Sequence, residues 1–178
     1  MNTSRRQLGQ TLTGLCFAAG LSACGFQLRG NGQYPFQTLY ANFSSTSSLG
    51  VELRLNLLGT GRIELLQEPQ QMAQADAILD ILSENREQAV VGVNASGQVR
   101  ELQLRLRVKF RLRTPQGLNL IEPVELAQQR DLSFTETAAL SKEIEQATMY
   151  RDMQTDIVQQ IMRRLSAVKP RAAATAKS

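Results

Sequence analysis

Histidine is absent from this 178-residue chain, and so is tryptophan. Without histidine there is no Ser-His-Asp or Cys-His nucleophile system, no histidine general base and no histidine-containing zinc site. The two cysteines, Cys16 and Cys24, are too few for an all-cysteine tetrahedral metal site. Aromatic side chains make up only 5% of the residues, which argues against the stacking surfaces that bind single-stranded nucleic acid. What is present suits a globular domain: 42% of residues are hydrophobic, enough for a sizeable core in one domain or two small ones. Lys and Arg number 20 against 16 Asp and Glu, a net charge of +4. Such a balance suits a nucleic-acid, membrane or anionic-lipid partner.

Residues 1–23 read as an export signal rather than as part of the fold. Arg5 and Arg6 form a positive n-region, and residues 8–21 a moderately apolar stretch diluted by Gln10, Thr11 and Thr13. That stretch is too short and too polar to span a membrane, which takes about 20 apolar residues. It closes on Leu21-Ser22-Ala23-Cys24, which resembles the bacterial lipobox. In that chemistry the Cys24 thiol takes a diacylglycerol thioether, the peptide is cut just before it, and the new amine is acylated. The alternative is a buried core cysteine with cleavage elsewhere; the agreement of n-region, apolar stretch and lipobox favours lipidation. Several acyl chains make a stable anchor, since each buried methylene contributes about 0.8 kcal/mol. Gly25, rather than Asp, follows the cysteine, which by the bacterial sorting rule favours the outer membrane. Arg5-Arg6 also resembles a twin-arginine signal, but an ordinary n-region is the simpler reading because nothing downstream implies a cofactor inserted before export. Cleavage before Cys24 would leave 155 residues, an excess charge of +2 and one acylated cysteine, hence no intrachain disulfide.

Residues 24–36 read as a polar, glycine-rich tether, 37–169 as a single domain, and 170–178 as a disordered Ala-rich tail. In the domain, residues 38–43 form a short strand and the serine-rich 44–48 offers helix caps. Residues 49–58 form a helix with Val51, Leu55 and Leu58 on one side and Leu53 and Leu57 beside them, closed by Gly59 or Gly61. Residues 62–66 are a strand and 69–75 a loop or short helical turn. Three long strands follow at 76–93, 99–113 and 118–134, separated by turns at 94–97 and 114–117. The first has a weak middle at 83–87, and Pro123 marks the third as an edge strand or a bulge. Residues 140–168 form a long helix, capped by Ser141, with an apolar stripe at Tyr150, Met153, Ile157, Ile161, Leu165 and Val168. The expected fold is an α/β (α+β) sandwich: a four- to five-stranded, mostly antiparallel sheet with two helices packed on one face. The other face is left to water or a partner.

The strand at 99–113 carries the most information. Leu104, Leu106, Val108, Phe110 and Leu112 point one way; Arg105, Arg107, Lys109, Arg111 and Arg113 point the other. At about 3.3 Å per residue, five cations then line one face over roughly 26 Å. One reading pairs them with neighbouring acids: Glu84 opposite Arg107, Asp80 opposite Arg111, and Glu125 from the other side. Such cross-strand pairs contribute about 0.2–1 kcal/mol each. The other reading is a cradle for an anionic partner such as a phosphorylated lipid. Gly59-Thr60-Gly61 follows a helix and lacks a third glycine, so it is no dinucleotide loop. Glu143, Glu145, Asp152 and Asp156 read as the solvated face of the long helix rather than an acid/base pair. No enzyme, metal or cofactor reading survives.

With these residues in view, the chain resembles the LptE family of lipopolysaccharide-assembly lipoproteins. Cys24-Gly25-Phe26-Gln27-Leu28-Arg29 is similar to the family's opening. Further likeness lies in Leu53-Arg54-Leu55-Asn56, Arg62-Ile63-Glu64-Leu65-Leu66, Ser96-Gly97-Gln98, residues 130–134, Ala139-Leu140-Ser141-Lys142-Glu143, Met149-Tyr150 and Arg163-Arg164-Leu165. The resemblance implies two helices on a four-stranded sheet and an outer-membrane location. It further implies a seat as a plug inside an LptD-like β-barrel, help with that barrel's folding, and binding of lipopolysaccharide. It marks Lys142 as a lipid-binding residue. A basic residue precedes the turn in relatives; here that position is Ala95, and Arg100 just past the turn is the candidate substitute. The expected ligand contacts are therefore Lys142, Arg100, Arg105, Arg107, Lys109 and Arg111. The expected partners are the barrel, lipopolysaccharide and a membrane through Cys24, with no nucleic acid. A different class of function, a freestanding periplasmic carrier for an anionic lipid, would need no barrel.

Overall fold

The computed structural model describes residues 34–133 and 139–169. The chain divides into two units, Met1–Asn31 and Gly32–Ser178, and every described residue lies in the second. The export signal, Cys24, the tether up to residue 33, Phe134 at the end of the third long strand, and the 170–178 tail lie outside the described residues.

The elements run β1 (Thr38–Asn42), α1 (Ser48–Gly59), β2 (Glu64–Leu66), a 3-10 turn (Pro69–Gln74), β3 (Ala77–Val93), β4 (Val99–Arg113), β5 (Asn119–Ser133) and α2 (Ala139–Ser166). All five strands join one sheet in the order β2-β1-β3-β4-β5. Helix α1 and the 3-10 turn each carry the chain back along the sheet, so β1 is parallel to both β2 and β3. The rest is an antiparallel meander. Its two turns share one design. Gly97 N donates to Asn94 O and Asn94 N to Gln98 O, both at 2.9 Å; Thr114, Gly117 and Leu118 repeat the pattern. Each loop needs a positive φ at its last residue, which Gly97 (78°) and Gly117 (88°) supply without a side-chain clash.

Both helices cover the same face. Leu53 and Leu57 of α1 and Met153, Ile157 and Ile161 of α2 share one core with Leu104, Leu106, Val108, Phe110 and Leu112 of β4. Burying each such side chain contributes roughly 1.5–3 kcal/mol. A smaller cluster, Tyr40, Leu66, Ala75 and Ile78, lies on the opposite face under the 3-10 turn.

Besides the start of α2, which at Ala139 puts Ser141 inside the helix rather than at its cap, two local expectations need correction. The first concerns α1, which buries Leu49, Gly50, Leu53 and Leu57, whereas Val51, Leu55 and Leu58 point outward. Leucines surround this helix on most sides, so periodicity does not choose its inner face. A close approach of the preceding loop does: a Cβ on Gly50 would come within 1.9 Å of the Ser44 carbonyl oxygen. Ser47 caps the same turn, its Oγ accepting from Gly50 N at 2.9 Å. The second concerns residues 83–87, which do not weaken β3; its ladder with β4 is irregular on either side, between Ile81 and Ser83 and again between Val90 and Val93. Pro123 falls at a register shift in the edge strand β5, where a missing N–H costs least. Among the described residues no helix is long and apolar enough to cross a membrane.

Candidate functional site

The cations of β4 stand on the sheet face away from the helices, as their alternation requires. They fall into two groups. Arg111 lies directly across from Asp80, and its Nε donates to Asp80 Oδ2 at 2.7 Å. Arg113 Nε donates to the same oxygen at 2.7 Å, and Asn42 Nδ2 to Oδ1 at 2.5 Å. Asp80 is only 2% exposed. Burial alone would raise its pKa, but the bonds from Arg113, Asn42 and Arg111 outweigh it and hold the carboxyl below its ordinary range.

The other group is more open. Arg107 lies across from Asn85, not Glu84; the bulge at Leu82 sets this register one residue apart from that of Asp80 and Arg111. Arg107 Nη2 donates instead to Glu87 Oε2 at 2.7 Å, and the two side chains are 38% and 43% exposed. Glu84 faces the helix side, 3.5 Å from Arg86. Arg105 Nε donates to the neutral Gln103 Oε1 at 2.7 Å, and Gln103 Nε2 in turn to Asp131 at 3.0 Å. Lys109 is exposed across from Glu125, yet makes no hydrogen bond or ion pair with any described residue. A shallow notch of about 130 Å3 lies beside Arg105, Arg107 and Ala127.

The remaining candidates are not in this row. Arg100 is exposed where the β3–β4 ladder slips: Gly92 faces Glu101 and Val93 faces Val99, leaving Arg100 without a ladder partner. Lys142 is in the first turns of α2, in the helix layer, and its Nζ donates to Glu145 Oε2 at 2.6 Å. A cation near a helix N-terminus opposes the macrodipole, and Glu145 offsets that cost.

Arg86 escaped the sequence reading. It lies on the helix-side face of β3 across from Leu106, where the pattern calls for an apolar residue. Its Nη2 donates to Ser48 Oγ at 2.7 Å and Gln154 Oε1 at 3.1 Å, and its guanidinium stacks 5.5 Å from the centre of the Tyr150 ring. Gln154 Nε2 donates to Glu52 at 2.6 Å, and Tyr150 Oη to the Glu87 carbonyl at 2.6 Å. Burial raises the Tyr150 pKa, with Arg86 opposing. These bonds stitch α1, α2 and β3 around a cleft of about 650 Å3. The only sequence signal was a polar Gln154 inside the apolar stripe of α2. Among the described residues no three acidic, cysteine or histidine side chains gather as a metal site.

Chemically, the open cations can offer charge and hydrogen bonds to an anion. The profile of the lipopolysaccharide-assembly family, LptE, matches residues 36–165. The chain belongs to the LptE family. Membership places it in lipopolysaccharide assembly. Among solved structures, this LptE chain is similar to an uncharacterized lipoprotein B from Nitrosomonas europaea, at 32% identity and a TM-score of 0.68, covering 80% of this chain and 91% of that one. Rare lipoprotein B from Shewanella oneidensis shares the fold at 18% identity and a TM-score of 0.62, covering 73% and 94%. A minor lipoprotein from Acinetobacter baumannii does so at 21% and 0.56, covering 74% and 91%. No curated protein gives a significant match. The sheet has five strands rather than the four implied by the resemblance, the extra one being the three-residue β2.

Proposed function

We propose that this LptE chain is a non-catalytic outer-membrane lipoprotein, anchored by acyl groups on Cys24. On this reading it binds lipopolysaccharide and seats as a plug in an LptD-like β-barrel, helping to deliver the lipid to the outer leaflet. The observation that carries the reading is the division of the sheet. Both helices cover one face, while the other presents Arg105, Arg107 and Lys109 without a buried partner. Phosphate groups on a lipid accept charge-assisted bonds from such residues. The Arg107–Glu87 pair does not stand in the way: an exposed pair contributes about 0–1 kcal/mol, so a phosphate can displace Glu87. Lys142 and Arg100 supply further contacts at the helix layer and the hairpin rim.

Affinity purification of the full-length lipoprotein from detergent-solubilised native membranes, read by mass spectrometry, tests the partner. The expected result is co-recovery of a large β-barrel. Recovery of a lone, lipid-exchanging monomer would replace the plug with the freestanding carrier. Lys142→Asp combined with Arg100→Asp is expected to weaken lipopolysaccharide crosslinking and leave barrel recovery intact.

A further inference from the structure

A groove at the C-terminal end of α2 plays no part in the basic face. Leu118, Leu120 and Ile121 at the start of β5 and Val168 beyond α2 form its floor, Arg164 and Lys169 its rim, and its volume is about 690 Å3. That lies within the range of about 300–1,000 Å3 usual for ligand sites. No carboxylate of a described residue lines it. The nearby Glu122 accepts a 2.7 Å bond from Asn119 Nδ2. Neither the Arg164 nor the Lys169 side chain makes a hydrogen bond or ion pair with another described residue. Helix electrostatics accounts for Arg163 and Arg164 in the last turn of α2. It has no bearing on Leu118, which is 45% exposed. The cleft between α1 and α2 differs: Glu52 and Glu143 balance Arg86 and Arg151, and Arg86 and Gln154 on its wall are already bonded to Ser48 and Glu52.

Unpaired cations over an apolar floor, with no acid present, complement an alkyl chain that ends in an anion. We infer that this groove binds a single-chain amphiphile with a phosphate head, the chain lying along Leu118, Leu120 and Val168 and the head between Arg164 and Lys169. Lys142 stands roughly 33 Å away along α2 at 1.5 Å per residue, so the site is separate from that contact and does not depend on the proposed function.

The test uses the full chain carrying Cys24→Ser, which blocks acylation, titrated with dodecyl phosphate below its micellar concentration and followed by amide chemical shifts. Saturable shifts are expected at residues 118–121 and 164–169. Arg164→Ala with Lys169→Ala, and separately Leu118→Asp, should each weaken binding about tenfold or more at unchanged melting temperature. Dodecylphosphocholine should bind more weakly by a similar factor, and inorganic phosphate should not saturate. Equal binding by the variants or by the zwitterion, equally tight inorganic phosphate, or no saturable shifts at residues 118–121 and 164–169 would overturn the site. Lys109→Ala leaves these shifts unchanged, so failure here is distinct from failure of the β4 face.

Discussion

At the end of β4, Arg111 and Arg113 both donate to a carboxylate that is 2% exposed, whereas Arg105, Arg107 and Lys109 earlier in the same strand meet only neutral, half-exposed or no partners. The residue types and the alternation are the same throughout. What differs is the burial of the partner. A buried Asp80 demands compensation and ties its arginines to the fold; an exposed Glu87 does not. A row of cations is thus two things: a structural clamp at one end and a surface able to exchange partners at the other.

The sharpest way to break this comparison is Asp80→Ala. It strands Arg113, which is 18% exposed, and should cost stability toward the lower end of about 3–5 kcal/mol, since Arg111 stays one-third exposed. Urea denaturation measures it; a loss below about 1 kcal/mol would mean that the clamp is no clamp. Acid probes the same clamp without mutation. Asp80 is held below its unfolded pKa of about 3.9, so its contribution is complete above that value and is lost as pH falls through the lower, folded pKa. Asp76 acts in the same direction, because backbone N–H groups of Thr38 and Gln37 donate to it. With no histidine in the chain, the unfolding midpoint should be nearly flat from pH 6 to 8 and fall below about pH 4. Arg107→Ala should cost no more than about 1 kcal/mol. Lys109→Ala, which removes no bond, should stay within about 0.5 kcal/mol and still weaken lipopolysaccharide binding.

Much of this was legible beforehand, for physical reasons that also explain the misses. Alternation over residues 102–113, bounded by the turns at 94–97 and 114–117, defined β4 and set the cations from Arg105 to Arg113 on one face. Turn chemistry at residues 94–97 placed Asp80 opposite Arg111. Nearer the turn the same count gave Glu84 for Arg107 where Asn85 pairs, so it was one residue off from the turn onward and met Asp80 only because the Leu82 bulge, which leaves no mark in the local pattern, takes up that residue. The inner face of α1 was unreadable, since its leucines surround the axis and a contact with Ser44 decides. The parallel pairing of β1 with β3 and the Arg86 network depend on chain segments distant in sequence. The groove beside Leu118 was equally invisible, because residues 118–121 meet residues 164–169 only in the folded chain.

The central claim is that the two halves of the cation row do different work. Measuring lipopolysaccharide crosslinking and the urea midpoint together separates them. Arg105→Ala with Lys109→Ala is predicted to lose crosslinking at an unchanged midpoint, and Arg111→Ala to lower the midpoint while keeping crosslinking. Full crosslinking in the first variant, or lost crosslinking at an unchanged midpoint in the second, would contradict the division.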